Sequence, residues 1–244
     1  MISVVLAVAL IFPGINGVEV YNDAPNIEPS GAVWTDDSLL FVDDGGEVFE
    51  LRDDVVTDHV VLRGSACPDN CDLEGITTRG DEIWVVTEWS STLLRITFAD
   101  GVLESHSAEH CVGYDSTYGA EALTYVPDTD EFWIGKQADG RVYVVRLVDG
   151  VVECVRNFSV YPHYDLSGMA YGIDPNGAPW VWAIWDAYNK GAILRLDGTV
   201  VAEWALPDDS QAQEGIAYNG HIFLAEDNRG VRRYNPWLLM WRRP

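Results

Sequence analysis

Leu73-Glu74-Gly75-Ile76-Thr77 is a phrase that the chain repeats five times. It returns as Pro29-Ser30-Gly31-Ala32-Val33, Ala120-Glu121-Ala122-Leu123-Thr124, Leu166-Ser167-Gly168-Met169-Ala170 and Gln213-Glu214-Gly215-Ile216-Ala217. Each time an acidic or hydroxyl residue, followed by Gly or Ala, opens an apolar run. The spacing is 44 residues from Ser30 to Glu74, then 47 to Glu121, 46 to Ser167 and 47 to Glu214. A period of about 40–50 residues is that of propeller blades, one small sheet per repeat. The expected fold is therefore all-β, a β-propeller of five blades, with a sixth irregular blade in the longer connections as the alternative.

Within a repeat the strands can be read directly. In the second, Gly75-Ile76-Thr77-Thr78, Glu82-Ile83-Trp84-Val85-Val86-Thr87 and Thr92-Leu93-Leu94-Arg95-Ile96 are separated by Gly, Asp and Ser turns. Val102-Leu103-Glu104-Ser105 follows as an outer strand, one face buried and one wet. The fifth repeat reaches its third strand at Val231-Arg232-Arg233-Tyr234 and leaves little for a fourth. Val18-Glu19-Val20-Tyr21, ahead of the first repeat, is placed to supply it and close the ring, which removes exposed sheet edges. Residues 18–244 read as one domain.

Residues 2–12 are apolar apart from Ser3, and Pro13-Gly14 and Gly17 follow. The run is shorter than the roughly 20 residues that a spanning helix needs. It fits the core of a secretory signal peptide over residues 1–17, although no Lys or Arg precedes it; a buried first strand is the alternative. Four cysteines are an even set, as an oxidising compartment favours. Cys67 and Cys71 are close enough to bridge across their own turn, leaving Cys111 and Cys154, one of three connectivities that four cysteines allow. Zinc is disfavoured because the Cys-x3-Cys pair has no matching second pair and no His at ligand spacing. Asn157-Phe158-Ser159 is a glycosylation triplet that matters only in a eukaryotic or viral setting.

Thirty-nine acidic residues face 15 basic ones, a formal net charge of −24, and Lys136 and Lys190 are the only lysines. Such a chain repels nucleic acid and anionic membranes, and no basic stripe offsets this. The segment 237–243, Trp-Leu-Leu-Met-Trp-Arg-Arg, is expected to pack on the last blade or fray. A monomer with no membrane span is expected.

In a propeller the first strand of each blade lines the channel, so Ser30, Glu74, Glu121, Ser167 and Glu214 should face one another. The second strands end in a further polar set, Asp43, Glu88, Lys136, Asp186 and Glu226. Carboxylates converging in a partly desolvated space either take up protons or surround a cation. Hard oxygen ligands without His or Cys suit Ca²⁺, with Glu74, Glu121 and Glu214 as the expected ligands. Lys136 would serve as a fixed counter-ion or grip an anionic ligand. Against this stands a purely structural role, in which the same residues tie neighbouring blades together.

Ser, Glu, Glu, Ser, Glu at the successive openings, with Leu-Ser-Gly in the fourth and Glu-Gly in the second and fifth, resembles the SdiA-regulated (YjiK-like) β-propeller proteins. In that family a Lys also closes the second strand of the third blade, as Lys136 does in Trp133-Ile134-Gly135-Lys136-Gln137. The likeness runs over all five repeats, from residue 28 to about 234. Pro29 stands where the family often has Leu, and Gln137 where it has Glu, which would remove one channel ligand. The resemblance implies an exported or periplasmic propeller with bound calcium; it implies no particular activity.

The same residues bear on enzyme classes. Propeller lactonases set Glu, Asn and Asp around one divalent ion, but no Asn stands at a repeat opening here; Asn176, Asn189, Asn219 and Asn228 read as loop residues. Propeller phytases want a basic phosphate site, for which only Lys136 qualifies. No Gly-x-Ser-x-Gly elbow is present. His163 is a candidate base at the channel mouth, while His59, His106, His110 and His221 lack ligand spacing. The preferred expectation is an exported propeller that binds a divalent cation and presents one mouth to a small molecule or protein partner. The alternative is a metal-dependent lactonase or phosphoesterase at that mouth.

Overall fold

Short apolar runs punctuated by Gly, Asp and Ser turns make every repeat a four-stranded antiparallel sheet. The computed structural model describes residues 18–21, 27–63, 67, 71–114, 117–160, 164–174, 176–207, 212–226 and 230–235. After β1 (Val18–Tyr21), blade one is β2 (Pro29–Trp34), β3 (Leu39–Asp43), β4 (Glu47–Arg52) and β5 (Val55–Val61). Blade two is β6 (Leu73–Arg79), β7 (Glu82–Thr87), β8 (Thr92–Thr97) and β9 (Gly101–Ser107), followed by the single-turn helix α1 (Glu109–Val112). Blade three is β10 (Ala120–Val126), β11 (Glu131–Lys136), β12 (Arg141–Val148) and β13 (Val151–Ser159). Blade four is β14 (Leu166–Ile173), β15 (Pro179–Trp185), β16 (Lys190–Leu194) and β17 (Val200–Ala205). Blade five is β18 (Gln213–Tyr218), β19 (Ile222–Glu226) and β20 (Gly230–Tyr234), completed by β1 on the outer edge of β20.

The ring therefore closes as its two ends predict, with Glu19 opposite Arg232 and Tyr21 opposite Val231. Turn chemistry supports the hairpins: Asp53 and Asp54 both take positive φ between β4 and β5, the two-residue geometry whose twist matches paired strands. The inner strands β2, β6, β10, β14 and β18 neighbour one another around a central channel.

The core lies between blades. Five apolar clusters among the described residues each join one blade to the next. Trp133 and Trp185 meet between blades three and four, Trp182 and Trp204 with Tyr234 between four and five, and Trp84 with Phe132 between two and three. Truncating such a buried aromatic costs about 3–5 kcal/mol. The channel residues thus sit on strands clamped from both sides.

Cys67–Cys71 and Cys111–Cys154 are disulfides with Cα separations of 4.9 and 5.4 Å, the pairing expected from spacing. They fit an oxidising, non-cytoplasmic location. No helix among the described residues is long and apolar enough to cross a membrane. Residues 1–17, His163, Asn228 and residues 237–243, on which expectations were placed, lie outside the described residues.

Candidate metal centre

Every inner strand slips register against its neighbour at the same place. The shifts fall between Pro29 and Gly31, Leu73 and Gly75, Ala120 and Ala122, Leu166 and Gly168, and Gln213 and Gly215. The residue that the ladder skips is Ser30, Glu74, Glu121, Ser167 or Glu214. A bulge of this kind leaves one residue unpaired and re-aims its side chain. The polar residue that opens each repeat is therefore the bulged one. The Gly after it has a separate cause. A Cβ on Gly75 would collide with the Leu123 backbone nitrogen, and one on Gly31 with the Glu74 carbonyl oxygen. The inner strands touch there, backbone to backbone.

At the bulged end the channel widens into a cavity of about 270 Å³. Ser30, Glu74, Glu121 and Glu214 line it with Asp44, Asp72, Glu88 and Gln137. Carboxylate oxygens of Asp44, Asp72 and Glu74 lie within 4.8 Å of one another. Asp72 is within hydrogen-bonding reach of both Glu88 and Glu74, and Glu74 of Glu121. Ser30 Oγ donates to the Asp44 carboxylate. Among the described residues, no Lys or Arg forms an ion pair with Asp44, Asp72, Glu74, Glu88 or Glu121.

Electrostatics follow from that crowding. Burial pushes Asp72 up to about 7, with the Glu88 carboxyl beside it adding to the effect. Burial, with Asp72 and Glu28 nearby, pushes Asp44 up to about 6. Glu74 is driven well above the carboxylate range by burial first, then by Glu121, Asp44 and Asp72; burial and Glu88 do the same to Glu121. Two carboxylates in hydrogen-bonding contact must share a proton or a cation, because like charges at that distance cannot both stay ionised cheaply. The donor set is all oxygen, as a hard cation such as Ca²⁺ prefers. Gln137 Oε1 is buried with no hydrogen-bond partner among the described residues, so it adds a neutral oxygen to this cavity.

Half of the residues singled out from sequence sit elsewhere. Asp43 accepts the Glu47 amide at 2.9 Å across the β3–β4 turn, and burial raises it to about 6. Lys136 donates to the Val112 carbonyl at 3.2 Å, pinning the segment after α1. Ser167 lines the narrow part of the channel and donates to the Gln213 carbonyl at 3.0 Å, tying blade four to blade five. Asp186 makes the same link by accepting the Gln213 amide at 2.8 Å. Glu226 is fully buried inside blade five, where the Tyr234 hydroxyl donates to it at 2.7 Å. Ser167 and Asp186 thus tie neighbouring blades, whereas Asp43 and Glu226 are held within their own.

Asp44 and Asp72 lie outside both repeated polar sets. Asp72 had a signal, since an Asp stands before Leu in both Asp72-Leu73-Glu74-Gly75 and Asp165-Leu166-Ser167-Gly168. His110, Cys111 and Cys154 come together, but the disulfide removes the thiolates that zinc would need. His59, His106 and His110 bond to Glu47 and to the Gly150 and Val152 carbonyls. Asn176, Asn189 and Asn219 lie in turns, as read.

The loops at this mouth carry Trp89, Tyr114, Tyr118 and Tyr164, the exposed aromatic residues among those described. The opposite end of the channel is a second cavity, and between the two the channel narrows until no water-sized space remains.

No protein-family model and no curated protein matches the chain. Solved structures do. Glutaminyl cyclase from Myxococcus xanthus superposes with a TM-score of 0.67 at 15% identity, over 87% of this chain and 92% of that one. Virginiamycin B lyase from Staphylococcus aureus gives 0.50 at 14% identity, over 86% and 67%. A streptogramin B lyase gives 0.50 at 12%, over 89% and 72%. These likenesses establish the β-propeller fold, and at such identities the fold alone.

Proposed function

We propose that the chain is an exported five-bladed propeller of the SdiA-regulated (YjiK-like) kind, holding one divalent cation, calcium, among the carboxylates of its acidic mouth. The loops around that mouth, with their exposed aromatics, then present the cation to a small molecule or a protein partner. One observation carries the reading: Glu88, Asp72, Glu74 and Glu121 form a continuous line of carboxyls in a cavity, without an Arg or Lys partner among the described residues. Asp44, Asp72 and Glu74 would be the inner ligands, with Glu121, Glu214 and the Gln137 carbonyl oxygen within the same cavity. Tyr and Trp are enriched where proteins meet partners, which supports a binding role for Trp89, Tyr118 and their neighbours. Export is supported by the apolar run of residues 2–12 and by the two disulfides.

The hydrolase reading has one observation in its favour: Asp72, titrating near neutrality in an open cavity, is suited to act as a general base. Elemental analysis and a melting curve test the first reading. A cation present at 100 times its dissociation constant stabilises the fold by about 2.7 kcal/mol. A melting temperature unmoved by both chelator and millimolar calcium, with no metal in the protein, overturns it. Turnover of a lactone or phosphoester that disappears in Asp72→Asn would move the assignment to the hydrolase.

A further inference from the structure

The opposite mouth carries its own chemistry. Four residues after each bulge the inner strands reach Trp34, Thr78, Tyr125, Tyr171 and Tyr218, an aromatic side chain in four blades of five. All five line a bowl of about 220 Å³, floored by Ala32, Ile76, Met169 and Ala217. The turns beyond them hold Asp in four of the five blades, among them Asp36, Asp81 and Asp174. Arg79, next to Thr78, pairs with Asp130 at 2.7 Å and lies 5.7 Å over the Tyr125 ring, which leaves Trp34, Tyr171 and Tyr218 as the rings open to a ligand cation. Where Thr78 replaces the aromatic, the wall is low. There the bowl shares Trp34, Thr78 and Gly80 with a groove of about 460 Å³ lined by Asp36, Asp37, Glu50 and Asp81.

We propose that this bowl binds a small organic cation through a trimethylammonium head, with the remainder of the ligand, uncharged or basic, leaving along the groove between blades one and two. Charge selects first, because the acidic turns and a net charge of −24 repel anions and draw in cations. A primary ammonium keeps its hydration unless acceptors replace it, and the floor offers only apolar side chains. A sugar needs free hydrogen-bonding groups on the walls. Here Thr77 and Thr124 accept the Tyr125 and Tyr171 amides at 2.9 Å, and the Tyr125 and Tyr171 hydroxyls bond to Asp130 and Asp128 at 2.8 and 2.6 Å. A methylated ammonium has no N–H to satisfy, is weakly hydrated and is attracted by aromatic rings. The bowl exceeds the roughly 30 Å³ share of one water and falls short of the roughly 300 Å³ where drug-sized pockets begin, which suits a head group.

Titration of the full chain with choline, followed by the indole resonance of Trp34, tests this. Its neutral isostere 3,3-dimethylbutanol and the zwitterion glycine betaine serve as comparisons. Choline is expected to shift Trp34 saturably at millimolar concentration, with both comparison compounds about tenfold weaker or worse, the neutral one for want of cation–π attraction. Tyr171→Leu should weaken choline by about tenfold while Tyr171→Phe, which keeps the ring, should not. No shift with choline, equal response to dimethylbutanol, or equal choline affinity in Tyr171→Leu and Tyr171→Phe overturns the proposal. Should Tyr171→Leu not fold, the choline-to-dimethylbutanol ratio in the unaltered protein decides it alone.

Discussion

The two mouths of the channel are made by the same five strands, four residues apart, about 13 Å at the usual rise per residue. At the start of each strand a bulge skips one residue and frees its polar side chain for the channel. At the end the ladder is regular, with Trp34 opposite Leu39 and Tyr171 opposite Val181, and the aromatics are held half-buried against the blades. Trp34 stacks on Phe223 at 4.9 Å and Tyr218 leans on Trp182 at 5.2 Å. A backbone irregularity, repeated five times, thus separates a mouth of competing carboxylates from one of settled aromatics. Polar groups that repel are affordable only where the surrounding sheet is rigid, and the inter-blade clusters provide that rigidity.

The neck between the mouths is where this contrast is easiest to break. Gly75→Ala sets a methyl against the Leu123 backbone, which cannot step aside as a side-chain tip could. Overpacking of this kind costs about 1–3 kcal/mol, a fall of roughly 2–12 °C in melting temperature for a chain of this size. Gly177→Ala, where nothing lies within 4 Å of the added carbon, meets only the penalty of its positive φ. Equal melting curves for the two variants would mean that the inner strands do not touch as described.

Acidity sharpens the contrast next. Asp43 and Asp44 titrate near 6 and Asp72 near 7, against about 3.9 in an unfolded chain. Between pH 4 and 7 the folded state therefore binds more protons than the unfolded one. Stability from these groups is fully present below about pH 4 and is lost as pH rises through 6 to 7. Chelated protein should melt lower at pH 8 than at pH 5; a loss of about 2 kcal/mol corresponds to roughly 4–8 °C. Calcium should reverse the trend by taking the place of the protons. A melting temperature that climbs from pH 5 to pH 8 in chelator would contradict the crowded mouth.

A smaller effect isolates one carboxylate. Glu121→Gln removes one ionisable group from the line without changing its shape, so the chelated protein should gain about 1 kcal/mol at a pH high enough to ionise the line, where repulsion is relieved. Calcium affinity should fall by about tenfold as one charged oxygen leaves the site. Calorimetric titration and melting curves, read together, check both signs. Loss of stability in the chelated variant would mean that Glu121 is satisfied by a partner rather than crowded.

Much of this was legible in the sequence because a repeat reports position directly. The five repeat openings and the closure of blade five by Val18-Glu19-Val20-Tyr21 follow from counting, and spacing favours, among three connectivities, the disulfide pairing that is found. What a repeat does not report is which neighbour claims a side chain. Asp186 occupies the position equivalent to Glu88, yet the Gln213 amide holds it; Glu226 pairs with Gln213 as Thr87 does with Leu73, one place earlier than Glu88, and there the Tyr234 hydroxyl bonds to it. Asp72 lines the cavity from one residue outside its strand, whereas Asp165 at the same place accepts the Ala187 amide at 2.7 Å. The bulge itself left its trace as a polar residue before Gly, a pattern that fits a register slip and an ordinary inward strand residue equally well.

The least of the expected effects is the one that keeps the two mouths apart. Tyr171→Phe deletes a hydroxyl that bonds to the exposed Asp128 and leaves the ring in the wall. An exposed hydrogen bond of this kind contributes about 0.5–1.5 kcal/mol at most, so the melting temperature should fall by no more than a few degrees. Calcium affinity should not move. The bulged carboxylates lie about 13 Å away along the strands, beyond the roughly 10 Å screening length at 0.1 M salt, and the closed neck admits no continuous water between them. Calcium titration of the Tyr171→Phe protein should therefore agree with the unaltered chain within about twofold, while Glu121→Gln shifts tenfold. A Tyr171→Phe shift approaching that of Glu121→Gln would join the two mouths into one coupled site, and the division of the channel drawn from its bulges would have to be given up.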